Sequence, residues 1–95
     1  MFASVRRYQT RDIDALERKV EDEFLDQIKE VDGFVGYYVI DGGHRDVASV
    51  TVCETADALQ QVTKLAGDWV RESLGDLVDG EPDVVAGEVR VRAGR

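Results

Sequence analysis

The order in which the spacing of hydrophobic residues changes along the chain constrains its fold more than any other feature. Two stretches have the three- to four-residue spacing of an amphipathic helix. The stretches before, between and after them have the composition or alternation of β-strands, and the middle one folds back at a glycine-rich turn. Read from the N-terminus, these patterns predict the element order β-α-β-β-α-β.

The first helical pattern follows a short strand-like segment at residues 2–9. Thr10 or Asp12 can cap the helix, because each offers a side-chain oxygen to the free N–H groups of a first helical turn. Asp32 and Gly33 then stop it. The apolar stripe of this helix contains Leu16, Val20, Phe24, Ile28 and Val31.

The opposite face of the first helix carries carboxylates one helical turn apart. They form two sets, Glu17 with Glu21, and Asp22 with Asp26 and Glu30. Like charges at this spacing repel each other, and dissolved salt screens the repulsion. We therefore expect salt to stabilise the fold.

The second helical pattern starts at Thr55, which can cap it, with Asp57 in the first turn. It loosens at Gly75 or ends before Gly80, and Pro82 cannot continue it. Its apolar side contains Leu59, Val62, Ala66, Trp69, Val70, Ser73 and Leu77.

Three more strand-like segments follow the one at residues 2–9. Residues 34–40 are aromatic and β-branched, and residues 41–44 (Asp-Gly-Gly-His) provide the positive-φ positions of a hairpin turn. The returning strand, 47–54, alternates between two sets of side chains, so that one of its faces belongs to the core. The last strand is expected at 84–92. The two sets of the returning strand are Ala48, Val50 and Val52, against Ser49, Thr51 and Cys53.

Two strand-helix-strand units of this kind place both helices on one face of a four-stranded antiparallel sheet, because right-handed crossovers are strongly preferred. This is the ferredoxin-like α+β architecture. With 95 residues, the chain is the size of one domain, 1–95. The second face of the sheet stays open, and pairing two such faces covers both, so we expect a homodimer.

The charge balance excludes several classes of partner. The formal net charge is -8, which opposes binding to nucleic acid or to an anionic membrane surface.

No stretch approaches the roughly 20 apolar residues of a membrane helix, and the N-terminus lacks the order of a signal peptide. Cys53 is the one cysteine, so no internal disulfide forms, and we read it as a small buried hydrophobe. The expected location is the cytoplasm.

Three segments carry a family resemblance. The run 27–38 (QIKEVDGFVGYY) resembles the helix-to-strand junction of antibiotic biosynthesis monooxygenase-like (ABM-like) domains, where a Pro/Asp-Gly-Phe turn precedes a strand. Residues 50–55 (VTVCET) and 69–72 (WVRE) resemble the same group, whose protomers pair into a dimeric α/β barrel. The resemblance implies a ligand cleft between the sheet and the helices of each protomer. The group includes oxygenases that use neither metal nor flavin, so no cofactor is expected.

The resemblance directs attention to Trp69, Tyr38 and Arg90 as catalytic residues. In this reading Trp69 stacks on a planar aromatic ligand, Tyr38 donates a hydrogen bond, and Arg90 stabilises developing negative charge. Two of the three have an alternative: Trp69 can be a core residue, and Arg90 can pair with a carboxylate such as Glu88.

Other polar residues were weighed for the same cleft. Tyr8 and Tyr37 can hydrogen-bond a phenol oxygen, and Arg6 can hold an anion. Adjacent tyrosines on a strand point to opposite faces, so at most one of Tyr37 and Tyr38 enters a given cleft.

Metal and haem chemistry find little support in the sequence. His44 lies in the glycine-rich turn, where Asp41 and Asp46 would complete only a poor cage for a metal. Its distance from Cys53 along the strand excludes a Cys/His pair within one protomer. The chain has no asparagine, and it has no histidine on the second helix, so the side chains expected of haem-degrading relatives are missing.

Two functional hypotheses remain. The first is a cofactor-independent monooxygenase acting on a phenolic or quinol-type small molecule. The second is a non-enzymatic dimeric module that binds a small molecule or a protein partner. An enclosed pocket beside Trp69 with convergent polar groups favours the enzyme, and a filled interior favours the module.

Overall fold

The computed structural model describes residues 1–94. It contains one four-stranded antiparallel sheet in the order β2-β3-β1-β4, with helices packed on one face. The strands are β1 (Phe2–Thr10), β2 (Phe34–Gly43), β3 (Asp46–Cys53) and β4 (Val78–Glu88). The predicted element order and the ferredoxin-like class are confirmed. Within one chain the sheet is open and does not close into a barrel.

The first helical stretch is continuous from residue 13 to residue 29 but changes its winding in the middle. It consists of α1 (Ile13–Lys19), a π-helical turn (Val20–Phe24) and α2 (Leu25–Lys29). Of the two predicted caps, Asp12 makes the bond: its Oδ1 accepts from the N–H of Ala15 at 3.1 Å. The predicted stripe is confirmed by the burial of Leu16, Val20, Phe24 and Ile28. Its last member, Val31, lies beyond the end of the helix and is only partly buried.

The second helix, α3 (Ala56–Ser73), packs beside the first over the sheet. Thr55 caps it as predicted, because its Oγ1 accepts from the N–H of Ala58 at 3.1 Å. The helix ends just before Gly75, at the earlier of the two predicted positions. Leu74 is buried and fills the junction between the helix and β4.

The two faces of the sheet differ in an unexpected way. The helices cover the face that carries Val47, Ser49, Thr51 and Cys53, all of which are buried. The aliphatic set of β3 points to the open face instead. There it joins side chains of the other strands that are largely exposed in the single chain: Val5 41%, Tyr38 60%, Ile40 51% and Val85 77%.

The β2–β3 turn lies later than predicted. β2 continues through Gly43, and the turn residues are His44 (φ 52°) and Arg45 (φ 70°). The pairing register shifts between Asp41 and Gly43, so the glycines form a bulge within the strand rather than the turn itself. Two residues with side chains therefore occupy the left-handed region that usually favours glycine.

β4 also differs from the expected range of 84–92. It begins at Val78 and ends at Glu88, and it accommodates Pro82 within an irregular segment. Its partners on β1 jump from Arg7–Asp83 to Gln9–Asp79, so residues 80–82 lie opposite Tyr8 alone. Gly80 has a φ of 70° in this bulge. A bulge on an edge strand is a position where proline is tolerated, because no ladder hydrogen bond is lost.

No helix within residues 1–94 is long and apolar enough to cross a membrane.

Candidate functional site

A cavity of about 420 Å³ lies between the helices and the covered face of the sheet. The sheet contributes Arg6, Tyr8, Tyr37 and Ser49. One wall is aromatic and comes from the two helical stretches, and another is the β4 bulge at residues 80–82. A space of this size holds a small aromatic molecule of two or three rings.

Strand alternation explains why the polar residues converge. Arg6 and Tyr8 are two positions apart on β1 and therefore point to the same face. Arg6 is paired in register with Ser49 on β3, and Tyr37 is paired with Thr51. The bulge opposite Tyr8 moves β4 away from regular pairing at the point where residues 80–82 line the cavity.

The aromatic wall is formed by Phe24 and Trp69 of the helical stretches, and Tyr37 of the sheet adjoins it. The rings of Phe24 and Trp69 are stacked, with centroids 4.9 Å apart and an interplanar angle of 22°. Phe24 and Tyr37 meet edge to face at 5.4 Å and 66°. These offset contacts hold the rings in place, so the cavity has a rigid apolar side.

Trp69 is held at its polar edge as well. Its Nε1–H donates to Oε1 of Glu23 at 3.2 Å, and its side chain is only 6% exposed. Glu23 and Phe24 are both part of the π-helical turn. The wider winding of such a turn interrupts the regular spacing of a helix, and π-turns are often found at functional sites. Here one π-turn provides both the stacking partner and the hydrogen-bond partner of Trp69.

Arg6 is the unusual polar group of the cavity. Its Nη1 is buried and has no hydrogen-bond partner within residues 1–94. Leaving a buried donor unpaired costs about 1–3 kcal/mol, and more for a charged group, and such atoms in native proteins call for an explanation. A ligand that accepts a hydrogen bond from Nη1 would remove that cost.

The two cavity tyrosines are neutral hydrogen-bonding groups. Burial raises the pKa of Tyr8 far above its ordinary value, and the neighbouring Tyr37 raises it further while the charge of Arg6 lowers it. Burial also raises the pKa of Tyr37, against the opposing effects of a hydrogen bond with Ser49 and of Arg6. Both phenols therefore keep their protons at neutral pH.

Comparison with known proteins shows which solved structures share this fold. Neither a protein-family model nor a curated protein sequence matches the chain. Among solved structures, the monooxygenase from the gene ActVA-Orf6 of Streptomyces coelicolor, in complex with nanaomycin D, superposes with a TM-score of 0.79 at 19% identity. That superposition covers 99% of this chain and 91% of the other.

Two further solved structures have the same fold. SnoaB, a cofactor-independent oxygenase from Streptomyces nogalater, has a TM-score of 0.74 at 14% identity, with 99% of this chain and 97% of that chain covered. A mutant of MhuD with two manganese protoporphyrin IX molecules per active site has a TM-score of 0.72 at 15% identity, with 100% of both chains covered.

The chain has an ABM-like fold. The resemblance found in the sequence is thus confirmed at the level of architecture. At these identities the likeness establishes the fold alone, because one fold carries many activities.

The three residues selected from the sequence do not come together in this ABM-like domain. Trp69 lines the cavity, whereas Tyr38 lies on the open face of the sheet. Arg90 lies beyond the end of β4 with its side chain 82% exposed, and its Nε is 3.5 Å from Oε1 of Glu88. The alternative interpretation of Arg90, an ion pair with Glu88, is the one that the structure contains.

The residues that do converge were only partly recognised from the sequence. Arg6, Tyr8 and Tyr37 were considered, and the alternation rule correctly allows one of the two adjacent tyrosines to enter the cleft. Glu23 was missed, because regular helical spacing places it away from the apolar stripe. The sequence of the acidic helix face does not indicate that the carboxylate of Glu23 accepts a hydrogen bond from Trp69.

Proposed function

We propose that this ABM-like domain binds a phenolic or quinol-type aromatic molecule in the cavity and oxygenates it without a metal or organic cofactor. The observation that carries the proposal is the combination of a rigid aromatic wall with three convergent donors, Arg6, Tyr37 and Tyr8. Its support from comparison is that two proteins with the same fold are a monooxygenase and a cofactor-independent oxygenase.

The chemistry requires a substrate that supplies its own electrons. A bound phenol loses its proton and the resulting anion carries electron density on a ring carbon. That carbon reacts with O₂, one oxygen atom stays on the ring as a new carbonyl group, and the other leaves as water. A phenol and O₂ thus give a quinone and water, and the substrate is the reductant.

The protein contributes a positive charge and an aromatic surface. The cation of Arg6 lowers the pKa of a phenol bound beside it, so that a weak acceptor, water or Glu81 on the β4 bulge, suffices to remove the proton. Trp69 stacks on the ring of the substrate. Tyr37 takes the hydrogen-bonding role first assigned to Tyr38, and Arg6 takes the charge role first assigned to Arg90, because only these members of each pair line the cavity.

Oxygen uptake by the metal-free protein with a panel of phenols and quinols tests this function. We expect uptake with at least one compound and a loss of about tenfold or more in kcat/KM for Tyr37→Phe combined with Arg6→Met. Tyr38→Phe combined with Arg90→Met makes the same chemical changes outside the cavity and is the matched control. Uptake that is equal in the two double variants would remove the assignment.

A non-enzymatic binding module is the second candidate, and one observation favours it. Both cavity tyrosines have a raised pKa, and the described residues that line the cavity include no histidine or cysteine. The cavity lining therefore offers no strong base to deprotonate a ligand, although it can still bind one. Tight binding of an aromatic ligand with no oxygen uptake across the panel would select this function.

We also propose that the domain acts as a homodimer through the open face of its sheet. Exposed aliphatic and aromatic side chains from three strands lie together there, and a second copy would cover them. Sedimentation velocity is expected to give a dimer for the wild-type chain and a monomer for Tyr38→Glu. A monomeric wild-type protein at micromolar concentration would contradict this proposal.

A further inference from the structure

We infer that the cavity selects planar aromatic ligands that carry an anionic oxygen, and that this oxygen binds Nη1 of Arg6. The inference rests on the proposed function in that it concerns the same cavity, and it goes further by naming the ionisation state of the ligand. It requires binding only, and oxygenation is a separate property.

Arg6 is a half-buried cation that makes no ion pair within residues 1–94. Five arginines form ion pairs within residues 1–94, including Arg7, the neighbour of Arg6 on the opposite face, with Asp46. The chain has 20 aspartates and glutamates, so acidic partners are abundant. Arg6, like Arg18 and Arg92, has no carboxylate within ion-pair distance in the described part of the chain. What sets Arg6 apart is that its Nη1 is buried without any hydrogen-bond partner there.

The groups around Arg6 on the sheet carry no negative charge. Tyr8, Tyr37 and Ser49 line the same part of the sheet and are neutral at physiological pH. The guanidinium group therefore gives this end of the cavity a net positive charge. Its hydroxyl neighbours can donate further hydrogen bonds to a second oxygen of an acid group.

The rest of the cavity lining orients an anionic ligand. Glu81 lies on the β4 bulge and repels an anion, and Arg71 on α3 is already paired with Asp68. The acid group of a ligand is thus directed to Arg6, while its ring lies along Trp69 and Phe24. A ligand with an apolar ring and one ionised oxygen at its end matches this arrangement.

A pair of isosteric probes tests the inference by calorimetry. 2-Naphthoate and 2-naphthamide have the same ring and nearly the same shape, but only the first is an anion. We expect the wild-type protein to bind 2-naphthoate at least about tenfold more tightly than 2-naphthamide, since a hydrogen bond between charged groups in a buried site is worth that much. Equal affinities, or no binding of 2-naphthoate at millimolar concentration, would overturn the inference.

Variants identify Arg6 as the source of the preference. Arg6→Met is expected to bring the two affinities within about twofold, and Arg6→Lys to restore part of the preference, because the ammonium group keeps the charge but loses the fork of donors. Arg90→Met, which removes an exposed arginine outside the cavity, should leave the tenfold ratio unchanged. A ratio that survives in Arg6→Met shows that another group selects the anion and refutes the assignment.

The outcome is separable from that of the proposed function. A charge preference that depends on Arg6, with no oxygen uptake for any phenol, leaves this inference standing and removes the enzyme. Oxygen uptake with neutral quinols, without any preference for 2-naphthoate, supports the enzyme and removes this inference.

Discussion

Replacing Arg6 by methionine should make the unliganded protein more stable. The side chain of methionine has a similar length and can lie against Trp69, but it brings no charged donor into the cavity. In the wild-type chain the buried Nη1 has no partner within residues 1–94, which costs about 1–3 kcal/mol. Part of that gain is lost with the packing of the guanidinium stem, so we expect a net gain of about 1 kcal/mol.

A gain of this size is measurable as a melting temperature. For a domain of fewer than 100 residues, about 1 kcal/mol corresponds to a shift of about 4–8 °C. Circular dichroism melts and urea titrations of the ligand-free protein measure it. The control is Arg90→Met, which removes a solvent-exposed ion pair with Glu88 and should change stability by less than about 1 kcal/mol.

The sign of the effect decides the matter. If Arg6 serves ligand binding and destabilises the ligand-free protein, its removal should give a variant that is more stable but does not bind the ligand. If Arg6→Met melts at a lower temperature than the wild type, Arg6 is a structural residue with partners that the cavity geometry does not reveal. Its unpaired nitrogen would then not be a cost that a ligand removes.

Further predictions concern the turn, the aromatic wall, the helix surface and pH. His44→Gly should stabilise the fold by about 0.5–1 kcal/mol in a urea titration, because it relieves a left-handed backbone (φ 52°); a lower midpoint would contradict the strain. Glu23→Ala should cost about 1 kcal/mol and shift the emission of Trp69, whose Nε1–H loses its acceptor, and unchanged emission would argue against that contact. The melting temperature should rise with KCl because the first helix has an acidic outer face; a flat or falling trend rejects this. Burial raises the pKa of Tyr37 above its ordinary 10.0, so the unfolded chain ionises first and stability should fall as pH rises past about 10; the fall should be smaller in Tyr37→Phe than in Tyr38→Phe, and equal pH profiles would refute it.

Sequence patterns predicted most of the architecture because they depend on local geometry. The stripe at Leu16, Val20 and Phe24 follows from the helical repeat, and the cap at Thr55 follows from the free N–H groups of a first turn. Topology rules then place both helices on one face. The irregular segments were predicted less well. The turn at His44 and the β4 bulge depend on how strands pair across the sheet.

The candidate site was harder to predict than the fold. Trp69 lines the cavity, and its place on the inner stripe of α3 is a local property that the sequence pattern shows. Arg6 and Arg90 both lie in strand-like sequence, and nothing local separates them. Only pairing in register puts Arg6 opposite Ser49 beneath the helices and leaves Arg90 beyond the end of β4.

The sequence by itself therefore determined the order of the elements, their approximate bounds and the helix faces that form the core, because backbone periodicity and capping act over a few residues. The tertiary structure decided which face of β3 is covered, which tyrosine enters the cavity, and that Arg6 forms no ion pair with a carboxylate of residues 1–94. Those outcomes depend on strand register and on bulges. A shift of one residue in register reverses the face of every side chain on a strand, and the pattern of hydroxyl and aliphatic residues here does not specify the direction.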